Sequence, residues 1–203
     1  MLLARRIGGF SRPTRSAVAL SDKEVAASSE DLIAKIYENP PELAYSGGLI
    51  FLFMPIFHTQ SAEELRNLGA GFAQRIRSGV VALSGELGAG KTTFVQGALA
   101  GMGAGGPFTS PTFVLMKQYD LPVSLNGIER VYHVDAYRVG EEDLCAQGFA
   151  EWANDPAGVV LLEWPERVPG LVPEKAIHVS ITVEKEGRRV EWQKSDEEKL
   201  FVK

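Results

Sequence analysis

The stretch Gly85-Glu86-Leu87-Gly88-Ala89-Gly90-Lys91-Thr92 decides the fold of this chain. It matches the pattern G-x-x-x-x-G-K-[ST], the phosphate-binding loop or P-loop. Its glycines permit positive φ angles and let backbone N–H groups approach phosphate oxygens. Lys91 supplies a positive charge for the outer phosphates, and the Thr92 hydroxyl can replace one water of Mg²⁺. The stretch therefore predicts a site for a nucleotide and magnesium.

The segments on either side of this loop have the patterns of a strand and a helix. Val80-Val81-Ala82-Leu83 is a short apolar run typical of a buried strand. Residues 93–100 place apolar side chains on one helical face, and Gly101 ends the run. A helix that starts at the loop directs the positive end of its dipole at an anion. This frame favours a phosphate site over a glycine-rich turn that binds nothing.

Composition limits the range of functions. The chain has 203 residues, of which 45% are hydrophobic, so it can bury the core of one domain. Its formal net charge is -5, whereas a nucleic-acid-binding protein generally carries an excess of positive charge. The single cysteine, Cys145, excludes a disulfide framework and is predicted to be a small buried hydrophobe. The three histidines lie too far apart in sequence for a zinc motif. We expect a reducing, cytoplasmic compartment.

Residues 1–56 differ from the rest and are predicted to be a poorly ordered N-terminal extension, dispensable for the chemistry of residues 57–203. Four arginines precede the first acidic residue, Asp22, among serines and threonines. This composition fits an organelle transit peptide, a basic tail, or an upstream start site with Met54 as the natural initiator. The apolar segment 48–57 is too short to span a bilayer, so no membrane association is expected.

A helix is predicted after Ser61, which has capping-box spacing with Glu64. Apolar residues then recur at helical intervals, and Ser78-Gly79 ends the pattern. Packing on the sheet explains this helix better than a role in interaction with another protein.

Two apolar strands end in carboxylates. Residues 130–135 end in Asp135, and residues 159–163 end in Glu163. The carboxyl ends of parallel strands face the ligand crevice of an α/β sheet, so both acids are candidates for a catalytic and Mg²⁺-binding role with Lys91 and Thr92. Asp135 is the leading counterpart of the acid that orders Mg²⁺ in P-loop proteins, although it could instead pair with Arg138 or cap a turn. Glu163 could hold Mg²⁺ or polarise a water.

Three further segments have more than one interpretation each. Thr109-Ser110-Pro111-Thr112, before a strand predicted at 113–116, could form a turn or a switch that senses the γ-phosphate. Trp164 could cover the site, contact a partner or pack against Pro165. Residues 177–183 and 190–192 form a predicted antiparallel hairpin, from whose turn Arg188 and Arg189 could face solvent or reach a nucleotide.

No Asn-Lys-x-Asp or Thr-Lys-x-Asp motif for guanine recognition is present, so the sequence favours ATP. It also lacks an ABC-type signature and the length of a helicase. A compact ATPase and a small-molecule kinase with Asp135 as base remain, as does a nucleotide-gated assembly factor without enzymatic activity.

The motifs together resemble one family. Gly85 to Thr93, Ser110-Pro111-Thr112, residues 133–138 (His-Val-Asp-Ala-Tyr-Arg) and Glu163-Trp164-Pro165 occur in the order typical of the TsaE (YjeE) family. This is the ATPase component of the bacterial system that makes threonylcarbamoyladenosine at position 37 of tRNA. The resemblance runs from about Phe57 to Trp192.

The resemblance implies a P-loop NTPase three-layer α/β fold with a mixed, mainly parallel sheet and a C-terminal antiparallel hairpin. It implies slow ATP hydrolysis, stimulated by the partner proteins TsaB and TsaD, with tRNA contacted mainly through them. Thr92 and Glu163 would hold Mg²⁺, Asp135 would support the metal or the attacking water, and Trp164 would lie beside the site. The Ser110, Pro111 and Thr112 segment would be a switch. The residues implied in ATP binding are Leu87, Gly88, Ala89, Gly90, Lys91, Thr92 and, with a looser match, Arg188.

Overall fold

The computed structural model describes residues 43–46, 49–52, 56–111 and 114–194 of the chain. Strands β1 (Leu43–Ser46) and β2 (Leu49–Leu52) pair antiparallel in a small sheet of their own. All other described strands belong to one seven-stranded sheet. Thr112 of the predicted switch, and residues 195–203 of the predicted domain, lie outside the described residues.

The large sheet is mixed, with its parallel strands in the middle. Its order is β3-β9-β8-β4-β7-β6-β5, and the neighbours from β8 to β6 are parallel. The outer pairs, β5 with β6, β9 with β8 and β3 with β9, are antiparallel. The bounds are β3 (Ile56–Thr59), β4 (Gly79–Ser84), β5 (Met116–Leu125), β6 (Ile128–Asp135), β7 (Gly158–Glu163), β8 (Ile177–Glu184) and β9 (Gly187–Lys194).

Helices cover both faces of this sheet, which gives three layers. One face carries α1 (Ala62–Ala73) and α2 (Lys91–Gly101), and their apolar side chains share a core with β4, β7 and β8. The other face carries α3 (Glu141–Ala146) and α4 (Phe149–Ala153), together with two 3₁₀ turns, Pro165–Arg167 and Pro169–Leu171. The three-layer α/β fold with a C-terminal hairpin is thus confirmed.

Glycines allow α1 and α2 to pack in close contact. A Cβ on Gly69 would lie 2.2 Å from the Phe94 carbonyl oxygen, and one on Gly97 would lie 2.0 Å from the Arg66 carbonyl oxygen. Real side chains do not tolerate such distances, so both positions require glycine for the backbones to approach. This packing holds α2, and with it the P-loop, on the sheet.

The start of α1 agrees with the predicted cap, with one difference. The Ser61 hydroxyl accepts the Glu64 N–H at 3.1 Å, whereas the Glu64 carboxylate accepts the N–H of Gln60 rather than that of Ser61. The helix ends at Ala73, before the end of the apolar pattern, yet Ile76 is still fully buried.

Two predictions from sequence are wrong. The strand predicted at 113–116 begins only at Met116, because Val114 and Leu115 form a turn in which Leu115 has a φ of +70°. Cys145 is exposed, not buried. It lies on the six-residue helix α3, whose one buried side chain is that of Leu144. Among the described residues, no helix is long and apolar enough to cross a membrane.

Candidate active site

The predicted acidic residues meet at the carboxyl ends of the central strands. In the register of the parallel pairs, Asp135 of β6 lies beside Glu163 of β7, and Glu163 lies beside Leu83 of β4. The P-loop leaves β4 directly after this point. Asp135 and Glu163 are both buried, with 6% and 1% of their surfaces exposed. One edge of the sheet therefore gathers the P-loop and both carboxylates.

The P-loop has the backbone conformation that its glycines predict. Gly88 and Gly90 have φ angles of +81° and +110°, and α2 starts at the next residue, Lys91. A Cβ on Gly88 would meet no atom within 4 Å, so this part of the loop is open. The Leu87 side chain is 74% exposed, whereas Ala89 is fully buried in the core. The loop thus presents its backbone N–H groups at a helix N-terminus, where anions are stabilised.

Lys91 is a buried cation held by the loop itself. Its Nζ donates to the carbonyl oxygens of Gly85 at 2.6 Å and Glu86 at 3.0 Å, and it lies 3.5 Å from the centre of the Trp164 ring. Burial lowers the pKa of Lys91 below its ordinary value. Four carboxylates oppose this shift: Glu163, Glu166, Asp135 and Glu86. Because the ammonium is only partly compensated, it favours an additional negative ligand.

A chain of hydrogen bonds joins Thr92 to a buried histidine. The Thr92 hydroxyl donates to Glu163 Oε2 at 2.8 Å, and Glu163 Oε1 lies 2.7 Å from His133 Nε2. His133 is 1% exposed. Thr92 and Glu163 thus present adjacent oxygens beside the P-loop. Oxygen donors of this kind are the ligands that Mg²⁺ prefers, so these residues fit the predicted metal.

Asp135 connects the sheet to the predicted switch. Its Oδ2 accepts the Ser110 hydroxyl at 3.3 Å, and its Oδ1 accepts the Tyr137 N–H at 3.0 Å. The bond with Tyr137 caps the turn after β6, which is one of the alternatives that the sequence allowed for Asp135. Pro111 is buried, and Ser110 is exposed. The described part of the switch therefore contacts Asp135.

Trp164 lies next to Lys91 in a backbone conformation that is rare for a large side chain. Its φ is +63°, and its N–H donates to the Leu83 carbonyl at 3.2 Å. The indole ring also packs against Tyr137, with 4.8 Å between ring centres. Trp164 therefore lies beside the site, where it contacts the P-loop lysine, and it is also half-buried against the apolar side chains on the face of the sheet that carries α3 and α4.

The two arginines after the hairpin turn have different partners. Arg188 Nε donates to the Ala89 carbonyl oxygen of the P-loop at 2.7 Å. Arg189 pairs with Glu191 on its own strand at 2.8 Å. The structure thus brings Arg188 to the predicted ATP-binding residues and keeps Arg189 apart from them.

His133 and Tyr137 belong to the motif at residues 133–138, but their residue types and spacing alone assign them no role at the site. The spacing of the three histidines fits no zinc motif. A signal was nevertheless present, because residues two apart on a strand point to the same face, and His133 precedes Asp135 by two. Tyr137 lies after the end of β6, so the alternation of side chains along a strand does not predict its position.

A comparison with family models assigns the part of the chain that contains these residues to a family. The model described as "Threonylcarbamoyl adenosine biosynthesis protein TsaE" matches residues 59–191, which include the P-loop, both carboxylates and Arg188. The chain belongs to the TsaE family. This family acts in the biosynthesis of threonylcarbamoyladenosine in tRNA.

Individual TsaE proteins and one solved structure agree with this assignment. The chain is similar to the tRNA threonylcarbamoyladenosine biosynthesis protein TsaE of Treponema pallidum (36% identical over 133 residues, 64% of this chain and 93% of the relative). It is also similar to that of Rickettsia typhi (33% over 137 residues, 66% and 90%). The crystal structure of Bacillus subtilis YdiB superposes with a TM-score of 0.59 at 25% identity, covering 72% of this chain and 88% of the other.

Proposed function

We propose that this TsaE protein binds Mg²⁺ and ATP and hydrolyses ATP slowly, and that its ATPase supports repeated turnover of a TsaB–TsaD complex that modifies position 37 of tRNA. The observation that carries the proposal is the meeting of Lys91, Thr92 and Glu163 at one point beside the P-loop. A buried lysine and two oxygen ligands at a helix N-terminus are the groups that phosphoryl transfer requires.

The contacts of these residues support their proposed roles. The backbone N–H groups from Leu87 to Thr92 would bind the phosphates, and the Lys91 Nζ would exchange its loop carbonyls for phosphate oxygens. Thr92 and Glu163 would hold the metal, which would supply positive charge to offset that of the phosphates. Asp135, which is tied to Ser110, supports the metal or orients the attacking water. Lys91 then stabilises the charge that develops on the transferred group.

Slow hydrolysis by the isolated chain would follow if a partner protein completes the site. Arg188 donates to the P-loop carbonyl of Ala89, and this contact supports its proposed place among the ATP-binding residues. Ser110 and Trp164 border the site at exposed or half-exposed positions where a partner can complete it. Residues 57–203 carry this chemistry in the cytoplasm, and residues 1–56 are dispensable for it.

tRNA is contacted mainly through TsaB and TsaD. The formal net charge of -5 supports this part of the proposal, because non-specific affinity for nucleic acid comes from positive charge. Tight, salt-sensitive tRNA binding by the isolated chain would contradict it.

Steady-state release of phosphate from ATP, measured with and without TsaB and TsaD and alongside tRNA modification, tests the proposal. We expect a low rate alone and a higher rate with the partners, and Lys91→Ala should abolish both. ATP-dependent phosphorylation of a metabolite without partners would favour a small-molecule kinase instead. Full support of tRNA modification by a non-hydrolysable ATP analogue would favour a nucleotide-gated assembly factor.

A further inference from the structure

His133 occupies a position that packing alone does not explain. It lies at the carboxyl end of β6, fully buried, and its Nε2 is 2.7 Å from Glu163 Oε1. Its other ring nitrogen, Nδ1, is buried without a hydrogen-bond partner. A buried polar atom without a partner costs stability, and an apolar side chain at this position would avoid that cost. The polar contact that offsets this cost is the one between Nε2 and Glu163.

The partner of Nε2 determines which atom is the donor in this contact. The Glu163 carboxylate accepts hydrogen bonds and does not donate them. The 2.7 Å contact therefore places a proton on Nε2, which donates to Glu163 Oε1.

The consequence of this bond lies on the other side of the carboxylate. Glu163 has one oxygen on His133 and the other on the Thr92 hydroxyl, at 2.7 and 2.8 Å. With Oε1 held by the ring, the carboxylate cannot rotate away, and Oε2 stays directed at the position where Thr92 meets the metal. Partners of this kind behind a ligand tune metal affinity by about 10- to 100-fold.

We propose that His133 is a positioning residue for magnesium: its Nε2–H fixes the Glu163 carboxylate so that Oε2 and the Thr92 hydroxyl form a ready-made pair of metal ligands. The inference rests on the proposed function, because it assigns Glu163 to Mg²⁺. It adds a residue whose contribution is exerted only through Glu163, without contact to nucleotide or metal.

The test compares two amide replacements that differ in reach. In His133→Gln the terminal amide nitrogen can extend to about the position of Nε2, whereas in His133→Asn it is one methylene shorter and falls near Nδ1. The dissociation constant of a fluorescent ADP analogue is measured for the full chain with Mg²⁺ and with EDTA, and the ratio of the two values gives the magnesium effect.

We expect His133→Asn to lose about 10-fold or more of the magnesium effect while its affinity in EDTA is unchanged. His133→Gln should retain most of the effect. In a Glu163→Gln background, which removes the carboxylate, His133→Asn should cause no further loss. Together these results would support the positioning role.

Three outcomes would overturn the inference. Equal magnesium effects in wild type and His133→Asn would show that Glu163 needs no positioning. Equal losses in the Asn and Gln variants, or equal weakening with and without Mg²⁺, would show a role in packing only. If wild-type protein binds ADP no better with Mg²⁺ than with EDTA, the proposed magnesium site itself fails, and that result is distinct from the others.

A measurement without metal or nucleotide checks the protonation independently. Nitrogen-15 NMR of the imidazole groups should show that Nε2 of His133 carries a proton. A ring protonated on Nδ1 alone would leave Nε2 unable to donate to Glu163 and would overturn the proposal.

Discussion

The two ends of strand β6 carry polar clusters of opposite character. At the amino end, Arg130 makes two bonds to Asp155, Nε to Oδ2 at 2.7 Å and Nη2 to Oδ1 at 2.8 Å. The Tyr132 hydroxyl adds a third bond to Asp155 at 2.8 Å, and the Ala157 N–H adds a fourth at 3.0 Å. Charge and hydrogen-bonding capacity are matched within the cluster, as is typical of an ion pair that holds structure together.

At the carboxyl end the partners are incomplete. Lys91 bonds to carbonyl oxygens rather than to a carboxylate, and His133 has a buried nitrogen without a partner. Asp135 and Glu163 are register partners on adjacent strands, and both side chains are buried. The cluster at the amino end is thus matched within the protein, and the cluster at the carboxyl end is the one to which we assign ligand binding.

Among the substitutions considered, Lys91→Ala should have the largest effect on nucleotide binding and turnover. We expect ATP affinity or turnover to fall on the order of 100-fold or more, because the charge that faces the phosphates is lost. The melting temperature should stay the same or rise, since a desolvated cation is removed from the core. Thermal unfolding and nucleotide titration check both parts. The exposed Lys175→Ala is the control, and a large loss of stability in Lys91→Ala would contradict the assignment of this end to binding.

Comparing Glu163→Gln with Asp135→Asn should distinguish the roles of the two carboxylates at the carboxyl end of the strands. Glu163 accepts the Thr92 hydroxyl, so its amide variant should lose about 100-fold in turnover and most of the magnesium effect on nucleotide binding. Asp135→Asn should lower turnover but keep more of the magnesium effect, since Asp135 accepts hydrogen bonds from Ser110 and Tyr137. Phosphate release and binding with and without Mg²⁺ measure this. The reverse order would make Asp135 the metal ligand.

At the amino end, Asp155→Asn should lower the melting temperature by a few degrees and leave nucleotide binding unchanged. The hydrogen bonds from Arg130 hold the pKa of Asp155 well below its usual range. A lowered pKa contributes stability above the pKa of the unfolded chain, about 3.9, and that contribution is lost as the pH falls through the lowered value.

The stability difference between wild type and Asp155→Asn should therefore be full near about pH 7 and shrink as the pH falls below about 4. Thermal unfolding across this range measures it, with the exposed Asp120→Asn as control. A difference that does not change with pH would show that the charge of Asp155 contributes nothing.

Leu87→Ala should have the smallest effect. Its side chain is 74% exposed at the tip of the P-loop, and the proposed ATP contact uses its backbone. We expect the melting temperature to be unchanged and ATP affinity of the isolated chain to stay within about threefold of wild type. A large loss of affinity in a nucleotide titration would assign the side chain itself to binding.

The sequence predicted the parts of the fold that depend on local patterns. The apolar runs before the P-loop, Asp135 and Glu163 each form the expected strand, and Gly187 stands at the turn of the expected hairpin. Strand β5 was missed over most of its length, because its exposed edge position gives no continuous apolar run. Exposed Cys145 was missed because a short helix carries no usable periodicity.

For the candidate site, the sequence supplied the residue types but not their pairings. The P-loop pattern places Lys91 and Thr92 through local spacing alone. The bond from Thr92 to Glu163 joins residues 71 positions apart, and that from Arg188 to Ala89 joins residues 99 apart. Such contacts depend on the order of strands in the sheet. The contact of His133 with Glu163 likewise depends on the pairing of β6 with β7.

The most direct test of the central claim, that the carboxyl ends of these strands form a magnesium–ATP site, is a calorimetric titration of ATP into wild type and Thr92→Val, each with and without Mg²⁺. The variant keeps the shape of the side chain and removes only the hydroxyl that meets Glu163. We predict that Mg²⁺ strengthens ATP binding by wild type and has little effect on the variant. Equal strengthening in both proteins, or none in wild type, would contradict the claim.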